Sequence, residues 1–224
     1  MKIKVCGLKH PDNIQELSRL AIDYMGLIFY EKSPRYAGGL EATDLPNIPS
    51  SIRLTGVFVD KDLDYILEKI QKYRLQTVQL HGTETPEFCR KLKESLSGDC
   101  GLRRNDKQTS RNDKCTIIKV FPIENAADLR QTADYESVCD YFLFDTKTPQ
   151  HGGSGKKFDW KMLSEYAGQT PFFLSGGIDL EDAKTIKQLT LHSLYAIDIN
   201  SKFEIKAGKK DINKIARFIE LINN

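Results

Sequence analysis

With 224 residues, 33 Lys and Arg against 31 Asp and Glu and a net charge of +2, the chain is long enough to bury one large α/β core and too balanced to single out nucleic acid as a partner. Five cysteines, an odd number without a Cys-x-x-Cys pair, argue against a disulfide framework or a structural zinc site, and no stretch approaches the ~18 uninterrupted apolar residues of a membrane span. The amino terminus lacks the apolar core of a secretory signal, so the chain reads as reduced, soluble and cytoplasmic, with no membrane partner.

Short apolar runs and helical stripes alternate along the chain. Residues 3–6 read as a first strand, followed by a loose helical stripe of Ile14, Leu17, Leu20 and Ala21. A second strand over 25–30 leads into the weakest unit, where 40–49 holds only a short, Pro-interrupted helix. The third strand, 55–59, precedes Leu63, Ile66, Leu67 and Ile70, spaced as one face of a helix. After the fourth strand, 77–81, Thr85-Pro86 marks a helix start with proline at its first position. Residues 97–114 then break the rhythm. Their five basic residues are interleaved with Asp and lack aromatics, which predicts a solvated surface insertion rather than a nucleic-acid patch. Strands follow at 116–121, 141–145, 172–175 and 194–199. Asp179, with Asp182 three residues on, caps a helix, and Ile212, Ile215, Ala216 and Ile219 line the last one.

Eight strand–helix units imply parallel pairing through right-handed crossovers. The predicted fold is a single eight-stranded parallel (β/α)8 TIM barrel over residues 1–224, with the polar insertion before strand five. An open doubly wound sheet is the alternative.

In such a barrel the carboxyl ends of the strands carry the chemistry. Alternation along each strand puts Tyr141, Leu143 and Asp145 on one face and Phe142 and Phe144 on the other. Gln79 and His81 likewise share a face, as do Lys4 and Cys6, and Ala196 and Asp198. With the aliphatic residues turned to the helices, Cys6, Gln79, His81, Asp145 and Asp198 converge at the mouth. Each also has a purely structural use. Cys6 suits a small buried apolar site, and His81 can hydrogen-bond the next loop. Asp145 can brace the glycine-rich segment 152–155, Asp198 can hold backbone amides, and Gln79 can serve as a structural donor. The segments Ser175-Gly176-Gly177 and Asp198-Ile199-Asn200-Ser201 follow strands seven and eight, where barrels commonly build phosphate sites from backbone amides.

Taken in order, Lys4-Val-Cys-Gly7, Ser33-Pro-Arg-Tyr36, Gly56-Val-Phe-Val59, Val78-Gln-Leu-His-Gly82, Phe144-Asp-Thr-Lys147, Gly152-Gly-Ser-Gly155, Phe158-Asp-Trp160, Leu174-Ser-Gly-Gly177, Ala196-Ile-Asp198 and Gly208-Lys-Lys-Asp211 resemble the phosphoribosylanthranilate isomerases of tryptophan biosynthesis over nearly the whole chain. The resemblance implies an aldose–ketose (Amadori) rearrangement of N-(5-phosphoribosyl)anthranilate. It implies Asp145 as general acid, which needs a pKa raised by burial, and Cys6 as general base; Lys4, on the same strand face one layer below, is the expected source of positive charge for the thiolate. It further implies Arg35 on the anthranilate carboxylate, Gln79, His81 and Asp198 around the substrate, and phosphate on the amides of Gly176, Gly177, Asn200 and Ser201. No metal and no organic cofactor are expected, because the substrate nitrogen itself acts as electron sink. The expected partner is this small phosphosugar, and the expected working unit a monomer, with a homodimer as the alternative.

Two features depart from the family pattern. Lys202 stands where a glycine is usual in Asp198-Ile-Asn-Ser-Lys-Phe-Glu204, and the 97–114 insertion is atypical. Three rivals share the fold. Histidine-pathway isomerases use two aspartates, and metal-dependent epimerases need paired histidines and acids. A non-catalytic phosphate-binding barrel would not need both Cys6 and Asp145.

Overall fold

A computed structural model describes residues 1–97, 115–147 and 157–223. Eight parallel strands close into a barrel in the order of the sequence: β1 (Lys2–Cys6), β2 (Tyr24–Ile28), β3 (Arg53–Phe58), β4 (Thr77–Leu80), β5 (Thr116–Ile123), β6 (Tyr141–Thr146), β7 (Phe172–Leu174) and β8 (Leu194–Ile199). Closure comes from β1 lying parallel to β8, with Lys4 opposite Asp198 and Val5 opposite Ile199. The open-sheet alternative is thereby excluded.

The helices α1 (Pro11–Leu17), α2 (Leu63–Tyr73), α3 (Pro86–Ser97), α4 (Ala183–Gln188) and α5 (Ile212–Asn223) cover the outside. Val78, Leu80, Phe142, Phe144 and Ile197 face outward and pack on Ile66, Cys89, Leu92, Ile186, Ile215 and Phe218 of the helices. Burying each large side chain of this kind stabilises the fold by roughly 1.5–3 kcal/mol. The inner face of the strands holds a second cluster of Tyr24, Ile118, Val120, Leu143, Phe173 and Ala196. This division is the one the alternation predicts.

The cap chemistry is also as expected. Thr85 Oγ1 accepts the Phe88 amide at 3.2 Å, and Asp179 and Asp182 form a reciprocal capping box. Three expectations are corrected, and one element is new. The units after β5 and β6 are 3₁₀ helices, Ala126–Tyr135 and Trp160–Glu165, because neither segment carries a full apolar stripe. Helix α1 ends at Leu17, which leaves Leu20 and Ala21 beyond it and Ala21 exposed. Strand ends shift by one or two residues, so His81 and Ser175 stand just past β4 and β7. A small hairpin, β9 (Glu204–Lys206) and β10 (Lys209–Lys210), follows β8 and turns at Gly208, whose φ of 85° only glycine adopts freely. Residues 98–114 of the polar insertion and the glycine-rich segment 152–155 lie outside the described residues.

Candidate active site

The mouth of the barrel is built on a buried ion pair. Register places Lys4 on β1 beside Asp198 on β8, and Lys4 Nζ lies 3.0 Å from Asp198 Oδ1, with both side chains buried. Burial works against the Lys4 ammonium, yet Asp198 and Cys6 outweigh it and hold its pKa above the ordinary lysine value. One cation is thus locked under the site.

Cys6 stands two residues beyond Lys4 on the same face and is buried. Its partner across the β1–β2 ladder is Gly26, where an added Cβ would come within 2.7 Å of the Cys6 sulfur. Glycine in a strand interior normally weakens it, and here it makes room for the thiol. Burial pushes the Cys6 thiol above its ordinary range, and the opposing pull of Lys4 does not cancel it. Lys4 is therefore adjacent as expected, but the resting form of Cys6 is the neutral thiol.

Asp145, near the end of β6, is 13% exposed, and its Oδ1 accepts the Thr146 amide at 2.8 Å. Burial pushes its carboxyl up to about 7, with the Asp198 charge acting in the same direction and the Thr146 amide and Lys4 against it. Gly176, at φ 96°, leaves room for this carboxyl: a Cβ there would collide with Thr146 Oγ1 and come within 3.3 Å of Asp145 Oδ1. Gly177 is also left-handed, at φ 63°, so the Ser175-Gly176-Gly177 turn depends on both glycines.

On the next wall His81 Nε2 is 3.7 Å from Asp145 Oδ2, and Gln79 Nε2 is 3.4 Å from His81 Nδ1. Gln79 is itself buried, and its Oε1 has no hydrogen-bond partner among the described residues. A buried amide oxygen without a partner is costly for folding, and it is an acceptor free to take a ligand's hydrogen-bond donor.

The loops after β2 and β8 meet at the rim. Gly7, at φ 81°, lies beneath the Arg35 stem and the Asn200 side chain: a Cβ there would come within 2.6 Å of Arg35 Cδ and 2.7 Å of Asn200 Oδ1. Arg35 is held in a fork by Glu204, and Lys210 Nζ reaches Asn200 Oδ1 at 2.8 Å. Ser201 opens the 3₁₀ turn Ser201–Phe203, which carries Lys202 at its centre. The backbone carbonyl of Lys202 accepts Lys214 Nζ at 2.8 Å.

This arrangement can be set against known proteins. A family model described as "N-(5'phosphoribosyl)anthranilate (PRA) isomerase" matches residues 3–221. The chain belongs to the phosphoribosylanthranilate isomerase family. An N-(5'-phosphoribosyl)anthranilate isomerase of Parabacteroides distasonis is 42% identical, with 99% of this chain and 93% of that protein covered. The crystal structure of phosphoribosyl anthranilate isomerase from Thermotoga maritima superposes with a TM-score of 0.79 at 29% identity, covering 100% of this chain and 98% of that one. A further phosphoribosyl anthranilate isomerase, 25% identical with a TM-score of 0.73 and 100% and 98% of the two chains covered, was solved with reduced 1-(o-carboxyphenylamino)-1-deoxyribulose 5-phosphate bound.

Within this family member, the strand-end residues Cys6, Gln79, His81, Asp145 and Asp198 all line the inner rim, and Arg35 and Asn200 close it from the loops. Sequence reasoning missed Glu204, Lys210 and Gly26. The first two stand within or next to quoted motifs, and a signal existed: an arginine entering a buried site needs a counter-charge. Gly26 gave none, because only the β1–β2 register sets it against the sulfur.

Proposed function

We propose that the chain catalyses the isomerisation of N-(5-phosphoribosyl)anthranilate to 1-(2-carboxyphenylamino)-1-deoxyribulose 5-phosphate, a step of tryptophan biosynthesis, with Asp145 as general acid and Cys6 as general base. Asp145 gives its proton to the furanose ring oxygen as the C1′–O bond breaks and that electron pair moves to oxygen. The anthranilate nitrogen lone pair forms the C1′=N bond of an iminium. Cys6 thiolate then takes the C2′ proton. The C–H electron pair becomes the C1′=C2′ bond, and the C=N π pair returns to nitrogen. Loss of the O2′ proton and gain of one at C1′ convert the enolamine to the ketose. Overall no atom is gained or lost.

What supports this reading is a carboxyl poised near neutrality and a buried thiol gathered around one buried Lys4–Asp198 pair. A pKa of about 7 lets Asp145 carry its proton at neutral pH and release it readily. Cys6 rests as a thiol, so the working protonation state needs the proton on the carboxyl and the charge on sulfur, the minor arrangement of a singly ionised pair. Lys4 stabilises the thiolate when it forms.

Arg35 takes the anthranilate carboxylate, a task suited to a planar guanidinium. Gln79, His81 and Asp198 surround the ribose. Phosphate lies on the amides of Gly176, Gly177, Asn200 and Ser201, with Lys202 adding a cation at the rim. Residues 1–224 act as one barrel in the cytoplasm, with the monomer as working unit, and the four described cysteines are all free thiols. The test is to generate the labile anthranilate adduct in situ and follow loss of its fluorescence with purified protein. Enzyme-dependent loss of signal is the expected result, and a rate equal to the buffer blank would overturn the reading.

A further inference from the structure

Arg35 is held by a residue with no place in the chemistry above. Its Nε lies 2.9 and 3.1 Å from the two Glu204 carboxylate oxygens, and its Nη2 lies 2.8 Å from Oε2. Glu204 is 5% exposed, and its Oε1 also accepts Lys210 Nζ at 2.8 Å and the Gly208 amide at 3.0 Å. Lys210 is fully buried and donates onward to Asn200, 2.8 Å to Oδ1 and 3.3 Å to the backbone carbonyl. One chain of charge-assisted contacts, Arg35–Glu204–Lys210–Asn200, therefore runs from the residue that takes the substrate carboxylate to one that takes its phosphate.

A long arginine side chain on a loop loses much rotamer freedom when it binds in one geometry. The Glu204 fork removes that cost in advance. It also leaves recognition capacity intact. The fork uses the Nε–Nη2 edge, while Nη1 makes no hydrogen bond to a described residue. A guanidinium offers its other edge, Nη1–Nη2, to a second carboxylate. Two cations around one carboxylate also leave a net positive charge, which matches a monoanionic benzoate. Burial pulls Lys210 down to about 8 against the pull of Glu204, while Arg35 and Lys210 together hold Glu204 below the usual carboxylate range despite its burial. The cluster thus stays ionised at neutral pH.

We propose that Glu204 is a positioning residue: bridged to Lys210, it holds Arg35 with one edge open, so recognition of the benzoate end depends on a carboxylate that never touches the substrate. This inference rests on the reading that Arg35 binds the anthranilate carboxylate, and the test separates the two. Calorimetry would measure binding of two probes to the full chain: reduced 1-(o-carboxyphenylamino)-1-deoxyribulose 5-phosphate and the same molecule without its carboxyl group. Arg35→Ala should weaken the carboxylated probe ten- to a hundredfold, on the order of one charge-assisted hydrogen-bond set, and change the other less than about threefold. If Arg35→Ala affects both probes alike, or neither, the reading of Arg35 fails and the proposal falls with it.

Where that reading holds, Glu204→Gln should reproduce the same selective loss, at least about tenfold for the carboxylated probe alone. Adding Glu204→Gln to Arg35→Ala should cost nothing more. Equal weakening of both probes would make Glu204 a mere staple of the β9–β10 hairpin. Unchanged binding, or tighter binding of the carboxylated probe, would show that it is dispensable or competes for Arg35. Each of these results overturns the proposal. Should Glu204→Gln fail to fold by circular dichroism, Glu204→Asp, which keeps the charge and withdraws it by one methylene, is read by the same criteria.

Discussion

The two ends of the barrel are made from the same eight strands and are filled in opposite ways. At the amino-terminal end Tyr24, Tyr141, Phe173 and Tyr195 interlock, with Tyr141 and Tyr195 centroids 4.7 Å apart and Tyr24 and Phe173 edge to face at 5.3 Å. The polar atoms there are largely satisfied within the protein. Tyr24 and Tyr195 hydroxyls lie 3.0 Å apart, Thr77 and Thr116 hydroxyls 3.1 Å, and Arg53 Nη2 donates to the Gln76 carbonyl at 2.8 Å. At the carboxyl-terminal end the same inward-facing register carries Cys6, Asp145 and Asp198, a thiol and two carboxyls that burial pushes up, and Gln79, whose Oε1 has no partner among the described residues. The floor is arranged for packing and the rim for reactivity. A single strand such as β6 serves both, Tyr141 below and Asp145 above, with Leu143 between.

That contrast is sharpened first by substitution at the rim. Cys6→Ala and Asp145→Asn should each lower kcat by about 10²–10⁴, the range for general acid–base groups, with native circular dichroism retained. Steady-state kinetics on the in situ substrate measures this, and turnover within tenfold of wild type in either variant would erase the division of labour. The mirror-image substitution is on the floor. Phe173→Ala should cost about 3–5 kcal/mol of stability in urea unfolding, since the ring is fully buried, yet leave kcat of the folded fraction within about twofold. Loss of turnover without loss of stability there would deny that the floor is only packing.

The third prediction concerns pH. For a singly ionised Asp145–Cys6 pair, kcat/KM should fall about tenfold per unit below pH about 7, where the pair takes up its second proton. It should stay level above that until the Cys6 thiol, raised by burial, loses the pair's last proton. Asp145→Asn should remove the break near pH 7, so that whatever activity remains keeps rising with pH until the Cys6 thiol itself ionises.

Stability follows the same group. The carboxyl ionises near 3.8 in the unfolded chain and near 7 in the fold, so its contribution is intact below 3.8 and is lost as pH rises through about 7. Asp145→Asn should therefore stabilise the protein by a few kcal/mol at pH 8, and the gain should vanish toward pH 4. The smallest effect is expected at Lys202, where Lys202→Gly should raise KM by no more than about fivefold and leave kcat alone, as for one exposed charge.

Much of this organisation is legible in the residues. Alternation in Tyr141-Phe-Leu-Phe-Asp145 alone sorts ring from helix contacts, and the structure divides Phe142 and Phe144 from Leu143 in the same way. The rim set Cys6, Gln79, His81, Asp145 and Asp198 follows from strand ends, since closure of a parallel barrel brings such ends together whatever the loops do. What stayed hidden depends on contacts between distant loops. Arg35 and Glu204 are separated by 169 positions, and no periodicity links them. The β9–β10 hairpin is too short to carry a pattern. The 3₁₀ helices at Ala126–Tyr135 and Trp160–Glu165 escaped because their apolar residues are too sparse to distinguish helix types. The net direction of the Cys6 shift was also out of reach, because it is a contest between Lys4 and burial, and burial is a tertiary quantity.

The most direct measurement of the Cys6–Asp145 partition uses substrate deuterated at C2′. Wild-type enzyme should show a primary isotope effect on turnover. In Asp145→Asn, where ring opening becomes limiting, the effect should shrink toward unity, whereas Cys6→Ser, which slows proton abstraction, should retain it or increase it. The reverse pattern, a full isotope effect in Asp145→Asn and none in Cys6→Ser, would contradict the assignment of acid and base.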